Sequence, residues 1–459
     1  MDLEHDVKTI HGAERDYTAK TIILATGGEH RKLEVPGEEE FSGRGVSYCA
    51  TCDGNFFTDQ DVVVVGGGPA GSSAACTIAK SGLSVLLIDK SEFPRDKCCG
   101  DGLTTMALRL SEGLGLNLEN LENLEVVDEA VIHFPSDRKE IFPLPKKGLF
   151  ASIVPRAEYD LALIDLAREL TVDVRLGHKF SSINFDKEKT FLNIDGLGEV
   201  ETSFVIAADG AWSPVRRSLN LSEGRSRGEW LAFRQYISGV ASDNNELHVW
   251  FEKDLLPGYA WSFPLPNGKA NVGFGVLKSQ HFSASETAQL ARELLNRKSI
   301  SETLGDDIKL EGRQTAWPIP ARVTSQQLTS RSVIFVGDAA ACTDVLTGEG
   351  IGQALLTGIL AGEAIKSGGS QKTVTSLYEK SVKSHLFADH YMSIALQKVL
   401  THPTGAENAL RLASMNQWSR RNFARWMFED YPRALLFTPK RWKKGVFDSE
   451  GAYNRKLDL

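Results

Sequence analysis

Residues Asp61 to Asp89 read DVVVVGGGPAGSSAACTIAKSGLSVLLID, and this stretch decides the fold. Val62 to Val65 form a β-branched apolar run, as a parallel strand buried on both faces requires. Gly66, Gly68 and Gly71 follow at G-x-G-x-x-G spacing. Ala70 to Ala79 reads as a helix, with Gly82 as its stop signal. A second strand, Ser84 to Ile88, ends at the acid Asp89. Gly66 permits the tight turn, Gly68 lets the backbone approach a pyrophosphate, and Gly71 lets the helix pack on the strand. The open N–H groups and positive end of the helix then face the phosphates. Asp89 follows at about the expected ~20 residues and can accept from a ribose hydroxyl. Strand, glycines, helix, strand and acid in this order predict a dinucleotide-binding βαβ unit.

Outward from that unit, 459 residues suggest about two to four domains. With 42% hydrophobic and 24% charged residues the chain can bury an ordinary core. A net charge of −8 argues against a general nucleic-acid binder. No apolar run reaches the ~18 residues of a spanning helix, and MDLEHDVKTIHG is not a secretory signal. Six cysteines in so long a chain do not form a disulfide framework, so a cytoplasmic protein is expected.

Residues 1–60 stand apart. Thr21 to Ala25 reads as a short strand, and Cys49-Ala50-Thr51-Cys52 is a C-x-x-C pair, a candidate redox dithiol or half of a zinc site. No second Cys or His pair follows at zinc spacing, so no metal is expected. The words AKTIILATGGEHRKLEVPGEEEFSGRGVSYCATCDGNFF, within Tyr17 to Gly68, resemble the bacterial thioredoxin reductases and their CATC centre. In that family an upstream FAD segment sets a flavin against the disulfide. Only about twenty residues precede the strand in this sequence, so the expectation is a fused remnant whose dithiol is idle. A working Cys49/Cys52 relay is the alternative.

After Asp89, Lys97-Cys98-Cys99-Gly100-Asp101-Gly102 is either a plain Gly-Asp-Gly turn or a loop beside a cofactor. Val154-Pro155-Arg156 opens an amphipathic helix, where Arg156 could reach a ribose or phosphate or make a surface ion pair. Strand pairs are expected at Val172–Leu176 and Phe191–Ile194. Phe204 to Ala208 is a buried strand ending at Asp209, the end where open α/β sheets place ligands. Residues 226–322 alternate in period two at Leu247–Phe251, Tyr259–Phe263 and Ala270–Gly275, with Pro266-Asn267-Gly268 as a turn, predicting a separate antiparallel sheet interrupted by a helix over 281–300. Tyr259, Trp261 and Phe263 are sheet packing or an apolar wall over a ligand. Ser332 to Ala340 gives strand and acid, Gly337-Asp338, and Leu346 to Ala354 gives a glycine-rich helix start. Asp338 can hold sugar-alcohol hydroxyls. The helix end near Gly348 can stabilise a reduced, negatively charged flavin ring, which points to FAD rather than NAD. Both ends of the chain then build one FAD site.

Residues 370–459 read as helical. Trp418 to Lys444 carries eight Lys and Arg and three of the eight tryptophans, the composition of an interfacial membrane anchor or of a tail packed through its aromatics.

Residues 61 to about 440 resemble the geranylgeranyl reductases, within the para-hydroxybenzoate-hydroxylase-like flavoproteins, through VVVVGGGPAG, KCCGDGL, VPRAEYD, AADGAWSPVRR, GYAWSFPLPNGKANVGFG and VGDAAACTDVLTGEGIGQAL. CGDG and the Y-x-W-x-F-P strand point to the reductase branch. The resemblance implies a mixed α/β fold: a Rossmann-like FAD-binding domain (61–225 and 323–370), an antiparallel-sheet substrate domain (226–322) and a helical C-terminal region (371–459). It implies hydride transfer from reduced FAD to C=C bonds of a polyprenyl chain, with NAD(P)H or ferredoxin as electron donor and peripheral membrane contact through 418–444. It assigns Gly66, Gly68, Gly71, Asp89, Arg156, Asp209, Gly337 and Asp338 to FAD. Cys99, Asp101, Tyr259, Trp261 and Glu349, with Gly348 and Gly350 on the cofactor side, would border the reaction. Ala341 and Val345 depart from the family's usual Gly and Pro, so the flavin-facing loop is expected to differ in shape. A monooxygenase or halogenase is the first alternative, although Ala316 to Pro320 only partly echoes the halogenase W-x-W-x-I-P strand; a lipid-binding flavoprotein without catalysis is another.

Overall fold

The computed structural model describes residues 8–11, 16–19, 60–145, 149–187, 189–221, 228–241, 245–278, 284–428 and 432–442. The chain divides into two units, Met1–Asp59 and Gln60–Leu459. In the first, Lys8–His11 and Asp16–Ala19 pair antiparallel. The expected strand Thr21–Ala25 and the Cys49/Cys52 pair lie outside the described residues.

The second unit is built on two large sheets. The valine run forms the strand Gln60–Val65, and Val62, Val63 and Val64 are fully buried. It pairs parallel with Val85–Asp89 on one side and with Gly198–Ala207 on the other. Val333–Phe335 adds in parallel beside Val205–Ala207, so a strand from late in the chain joins the same sheet. Asp173–Leu176 pairs parallel with Val85–Asp89, whereas Lys189–Ile194 pairs antiparallel with both Phe180–Asp186 and Gly198–Ala207. The two strands expected as a pair at 172–176 and 191–194 therefore sit at different places in one sheet. Local pattern predicts strands; partners come from the whole sheet.

Among the described residues the second sheet has seven strands, in the order Lys309–Ile319, Trp230–Ser238, Lys269–Leu277, Tyr259–Leu265, Glu246–Trp250, Glu129–His133, Lys139–Pro143. Residues 129–143 were expected in the cofactor segment 61–225 and are instead two strands of this sheet, because Glu129–His133 pairs parallel with Glu246–Trp250. The hairpin at Asn267-Gly268 turns with both residues at positive φ, +64° and +65°, the requirement of a type I′ turn. Two helices, Ala284–Leu294 and Lys298–Leu304, stand where one was expected.

The C-terminal region is helical: Gln371–Val382, Ala388–Leu400, Pro403–Ser414 and Gln417–Phe428. It packs on the outer strands of the second sheet, with Phe423 against Phe142 at 4.8 Å between ring centres and Ala424 and Phe428 in that core.

Candidate active site

The glycine turn is shaped by backbone contacts. Gly66 lies at φ +112°, and a Cβ there would sit 2.4 Å from the Ala208 carbonyl oxygen. A Cβ on Gly71 would sit 1.8 Å from the Gly66 carbonyl. At Gly68 the nearest atom would be Arg95 Nη2 at 3.5 Å, so this side of the turn is open and faces a cation. The helix Pro69–Ala79 starts at Gly68 without a side-chain cap. Asp89 is buried; its Oδ2 accepts from the Gly67 amide and its Oδ1 from Ser91, both at 2.8 Å, so it braces the turn.

A second helix, Ile351–Lys366, crosses the first. A Cβ on Gly358 would sit 2.1 Å from Ser73 Oγ, and Ser73 Oγ donates to the Leu355 carbonyl at 3.1 Å. Two helix starts thereby meet at the carboxyl ends of the central parallel strands. Gly337 donates its N–H to Thr357, and the half-buried Asp338 accepts from Thr343 at 3.4 Å. Asp209 accepts from the Val215 amide at 2.9 Å, and burial raises its carboxyl to about 6.

Arg156 opens the helix Arg156–Glu169, as expected, but its guanidinium makes a two-point ion pair with Asp160 at 2.7 and 2.9 Å and lies beside Cys99. A buried carboxylate one helical turn away captures the fork before it can reach out. Arg95, which also reaches Asp160 at 3.3 Å, is the guanidinium beside Gly68.

The loop 96–102 lies against the face of the second sheet that carries Tyr259, Trp261 and Phe263, alternate residues of one strand. A Cβ on Gly100 would sit 3.0 Å from the Phe263 ring and 3.6 Å from Trp261 Nε1, so the missing side chain is what lets the loop close on the aromatics. Trp261 meets Tyr259 edge-on at 6.1 Å and Phe263 at 5.9 Å. Asp101, fully buried at φ +65°, accepts from Tyr236 Oη at 2.5 Å and from Asn271 Nδ2 at 2.7 Å. Asn271 also donates to the Cys99 carbonyl and accepts from Trp261 Nε1 at 3.1 Å. Burial lifts Asp101 to about 6, and the hydrogen bonds from Tyr236 and Asn271 oppose part of that rise. The Cys99 thiol is also raised by burial, against the pull of Arg156. A cavity of ≈ 230 Å³ lies on the other face of the sheet, lined by His248, Ser262 and Pro264.

The 344–350 turn closes on the same wall, where Tyr259 Oη donates to the Thr347 carbonyl. Glu349, expected to border the reaction, accepts at Oε1 from the Gly352 amide at 2.7 Å and so caps its own helix. Ala341, where the family usually has Gly, stands at φ +53°, a left-handed conformation that favours glycine.

Residues 59–357 match the FAD binding domain family, and residues 2–100 match the pyridine nucleotide-disulphide oxidoreductase family. A menaquinone reductase of Mycobacterium tuberculosis is 34% identical over 321 residues, covering 67% of this chain and 76% of the relative. A digeranylgeranylglycerophospholipid reductase of Methanopyrus kandleri is 31% identical, covering 66% of this chain and 76% of the relative. The chain belongs to the geranylgeranyl reductase family of FAD-binding flavoproteins. Among solved structures, a geranylgeranyl bacteriochlorophyll reductase-like protein of Thermoplasma acidophilum superposes with a TM-score of 0.69 at 23% identity, covering 83% of this chain and 98% of that one. A flavin-dependent brominase superposes at 0.67 with 19% identity, covering 83% and 98%, and shares the fold.

This flavoprotein is therefore an FAD-dependent oxidoreductase, and the open side of Gly68, the uncapped helix start and Arg95 fit a pyrophosphate. Sequence reading missed Arg95, Tyr236 and Asn271. Tyr236 and Asn271 face each other across two paired strands, Trp230–Ser238 and Lys269–Leu277. Period-two alternation puts both on one face, but only the pairing register makes them neighbours above Asp101.

Proposed function

We propose that this flavoprotein reduces C=C bonds of a polyprenyl chain held against Trp261 and the loop 99–101. The observation that carries the reading is the chain Trp261–Asn271–Asp101, which ties the aromatic wall to a buried carboxyl that is raised to about 6 and can therefore hold a proton. Support also comes from the relatives named for reducing a geranylgeranyl glycerophospholipid and menaquinone.

Gly66, Gly68, Gly71, Arg95, Asp338 and the 348–350 turn would hold FAD, which when reduced supplies the hydride. Protonation of an unactivated alkene at one carbon develops positive charge on the other, and that carbon would then take the hydride. Tyr259, Trp261 and Phe263 exclude water there and present ring faces that favour positive charge. Asp101 gives the proton. Its Oδ2 is occupied by Tyr236 and Asn271, so the proton would sit on Oδ1, which among the described residues meets the Arg156 amide at 3.4 Å. Asp101 then regains a proton from solvent, and NAD(P)H or a ferredoxin returns the electrons. Cys99, beside Arg156, is the second donor candidate. The test is the product mass after anaerobic incubation of the reduced protein with polyprenyl lipids. A gain of two hydrogens is expected; oxygen or halogen in the product under aerobic conditions, with none of the reduced lipid, rejects the reading.

Such a substrate resides in a bilayer, and peripheral contact through 418–444 is part of the proposal. Among the described residues no helix is long and apolar enough to cross a membrane. Trp418 is 71% exposed, Phe437 74% and Trp442 50%. Much of the segment's basic charge is engaged internally: Arg420 pairs with Glu140, Arg433 with Asp344 and Arg441 with Asp389, while Arg425 is buried. Contact then depends more on the aromatics than on charge. Trp418→Glu with Phe437→Glu should abolish pelleting with anionic vesicles; unchanged pelleting excludes these side chains as the anchor.

A further inference from the structure

The turn that closes on the aromatic wall has a charged side chain at its centre. Asp344 is buried, and its Oδ1 accepts from the amides of Leu346 at 3.0 Å and Thr347 at 2.7 Å and from the Thr347 hydroxyl at 2.8 Å. The backbone of the turn closes on itself, Asp344 donating to the Glu349 carbonyl and Gly348 to the Asp344 carbonyl. The other carboxylate oxygen faces the C-terminal region. Oδ2 accepts from Ser393 Oγ at 3.0 Å and from Arg433 Nη1 at 2.6 Å, an ion pair whose side chains are 6% and 12% exposed. The neighbouring Val345 carbonyl is held from the same side by Gln397 Nε2 at 2.7 Å.

Arg433 is itself fixed. The next residue, Ala434, donates its amide to Asp389 Oδ1 at 2.8 Å, and Arg441 pairs with Asp389 Oδ2 at 2.6 Å. One aspartate thus clamps both ends of the 433–442 segment, and that segment delivers one cation to the turn. Burial by itself would push the Asp344 carboxyl up; Arg433 and the Thr347 and Ser393 hydrogen bonds hold it below its ordinary value, so it stays charged.

We propose that Arg433 is a positioning residue: by pairing with Asp344 it holds the 344–350 turn, and with it the N-terminus of the Ile351–Lys366 helix, where a reduced flavin ring needs a positive end. An anionic carboxylate at the core of the turn would oppose the helix end in stabilising negative charge on the ring. Arg433 cancels that carboxylate and at the same time keeps its hydrogen bonds to the turn in register. A residue far along the chain thereby sets both the shape and the net charge of the cofactor turn. The inference rests on the reading that this turn faces the flavin.

The test uses the full chain with Arg433→Met and Arg433→Lys. Two quantities are read: amide hydrogen exchange of Thr347 and Gly348 in FAD-free protein, and the two-electron midpoint potential of the bound flavin. For Arg433→Met, exchange should speed up at least tenfold. The preference for reduced over oxidised FAD should fall about tenfold, a drop of about 30 mV. Arg433→Lys, which keeps the charge but not the placement of Nη1, should recover most of the potential and part of the protection. Unchanged exchange and potential in a folded, yellow Arg433→Met protein overturn the proposal. Faster exchange with an unmoved potential overturns it too, because the turn would then not bear on the ring. If Arg433→Met does not fold, Ser393→Ala removes one donor from Asp344 and leaves the ion pair; exchange of Thr347 should still rise about threefold, and no rise overturns the proposal. A wild-type protein without flavin would instead reject the cofactor reading on which this rests.

Discussion

Two turns lead into helix N-termini at the cofactor end of the molecule, and they are held by different means. The 66–71 turn is braced by its own surroundings: the Gly66 amide donates to Ile88, the Gly67 amide to Asp89, and Gly71 packs on Gly66. Its partners lie within the same βαβ unit, apart from the Ala208 backbone. The 344–350 turn relies on distant elements. Trp230 Nε1 and Gln397 Nε2 hold the Val345 carbonyl, Tyr259 holds the Thr347 carbonyl, and Ser393 and Arg433 hold Asp344. The first turn is therefore set mostly by residues of its own unit. The second is set by the second sheet and the C-terminal region, so changes in either can reach it.

Breaking the first turn should have the largest effect. Gly71→Val drives a branched side chain into the Gly66 carbonyl and should cost about 3 kcal/mol, with loss of bound FAD. A yellow, stable variant, seen by absorbance and chemical denaturation, would mean that the turn is not the phosphate cradle.

The wall on which the second turn leans comes next. If Asp101 gives the proton, turnover should be level below about pH 6 and fall about tenfold per unit above it, because the carboxyl is neutral only below its folded value of about 6. Stability has the same sign: the folded carboxyl binds its proton more tightly than the unfolded one. Its contribution is therefore complete below the ordinary value of 3.8 and is lost as pH rises through 6. Asp101→Asn should abolish the alkaline limb of the pH–rate profile; a limb that persists assigns the proton to another group.

Trp261→Ala should keep FAD and lose prenyl reduction by at least about tenfold, or about 1.4 kcal/mol of transition-state stabilisation. Full activity would remove the aromatic strand from the site. A smaller change, Tyr259→Phe, deletes only the hydroxyl that reaches Thr347 and should cost about 1 kcal/mol in stability, with exchange rising at Gly348 and not at Gly67. Equal changes at both amides would erase the contrast between the turns. Least of all should follow from Cys49→Ser with Cys52→Ser, which should leave flavin reduction and turnover within a few-fold; loss of turnover at full FAD content would establish a working dithiol relay.

The parts legible from the chain are those whose causes are local. Four valines, three spaced glycines and an acid specify the 61–89 unit because each needs only its neighbours to do its work. Asn267-Gly268 specifies its hairpin for the same reason. The period-two strands announced a second sheet, but its membership was not local: 129–133 and 139–143 joined it because a parallel partner, 246–250, offered an edge. The same limit applies to the site. Sequence placed Asp101 and Trp261 together by family resemblance, and strand register then put Asn271 between them and Tyr236 above. Arg156 was read as reaching a ribose or phosphate or making a surface ion pair, and Asp89 as accepting from a ribose hydroxyl. The folded chain turns them inward, onto Asp160 and the Gly67 amide, because a buried charge or orphan amide costs more than an exposed one. Arg433 looked like part of a basic tail and became the counter-ion of Asp344. Which cation meets a buried carboxylate is settled by packing, since only the fold brings residues so far apart in the chain within hydrogen-bond range.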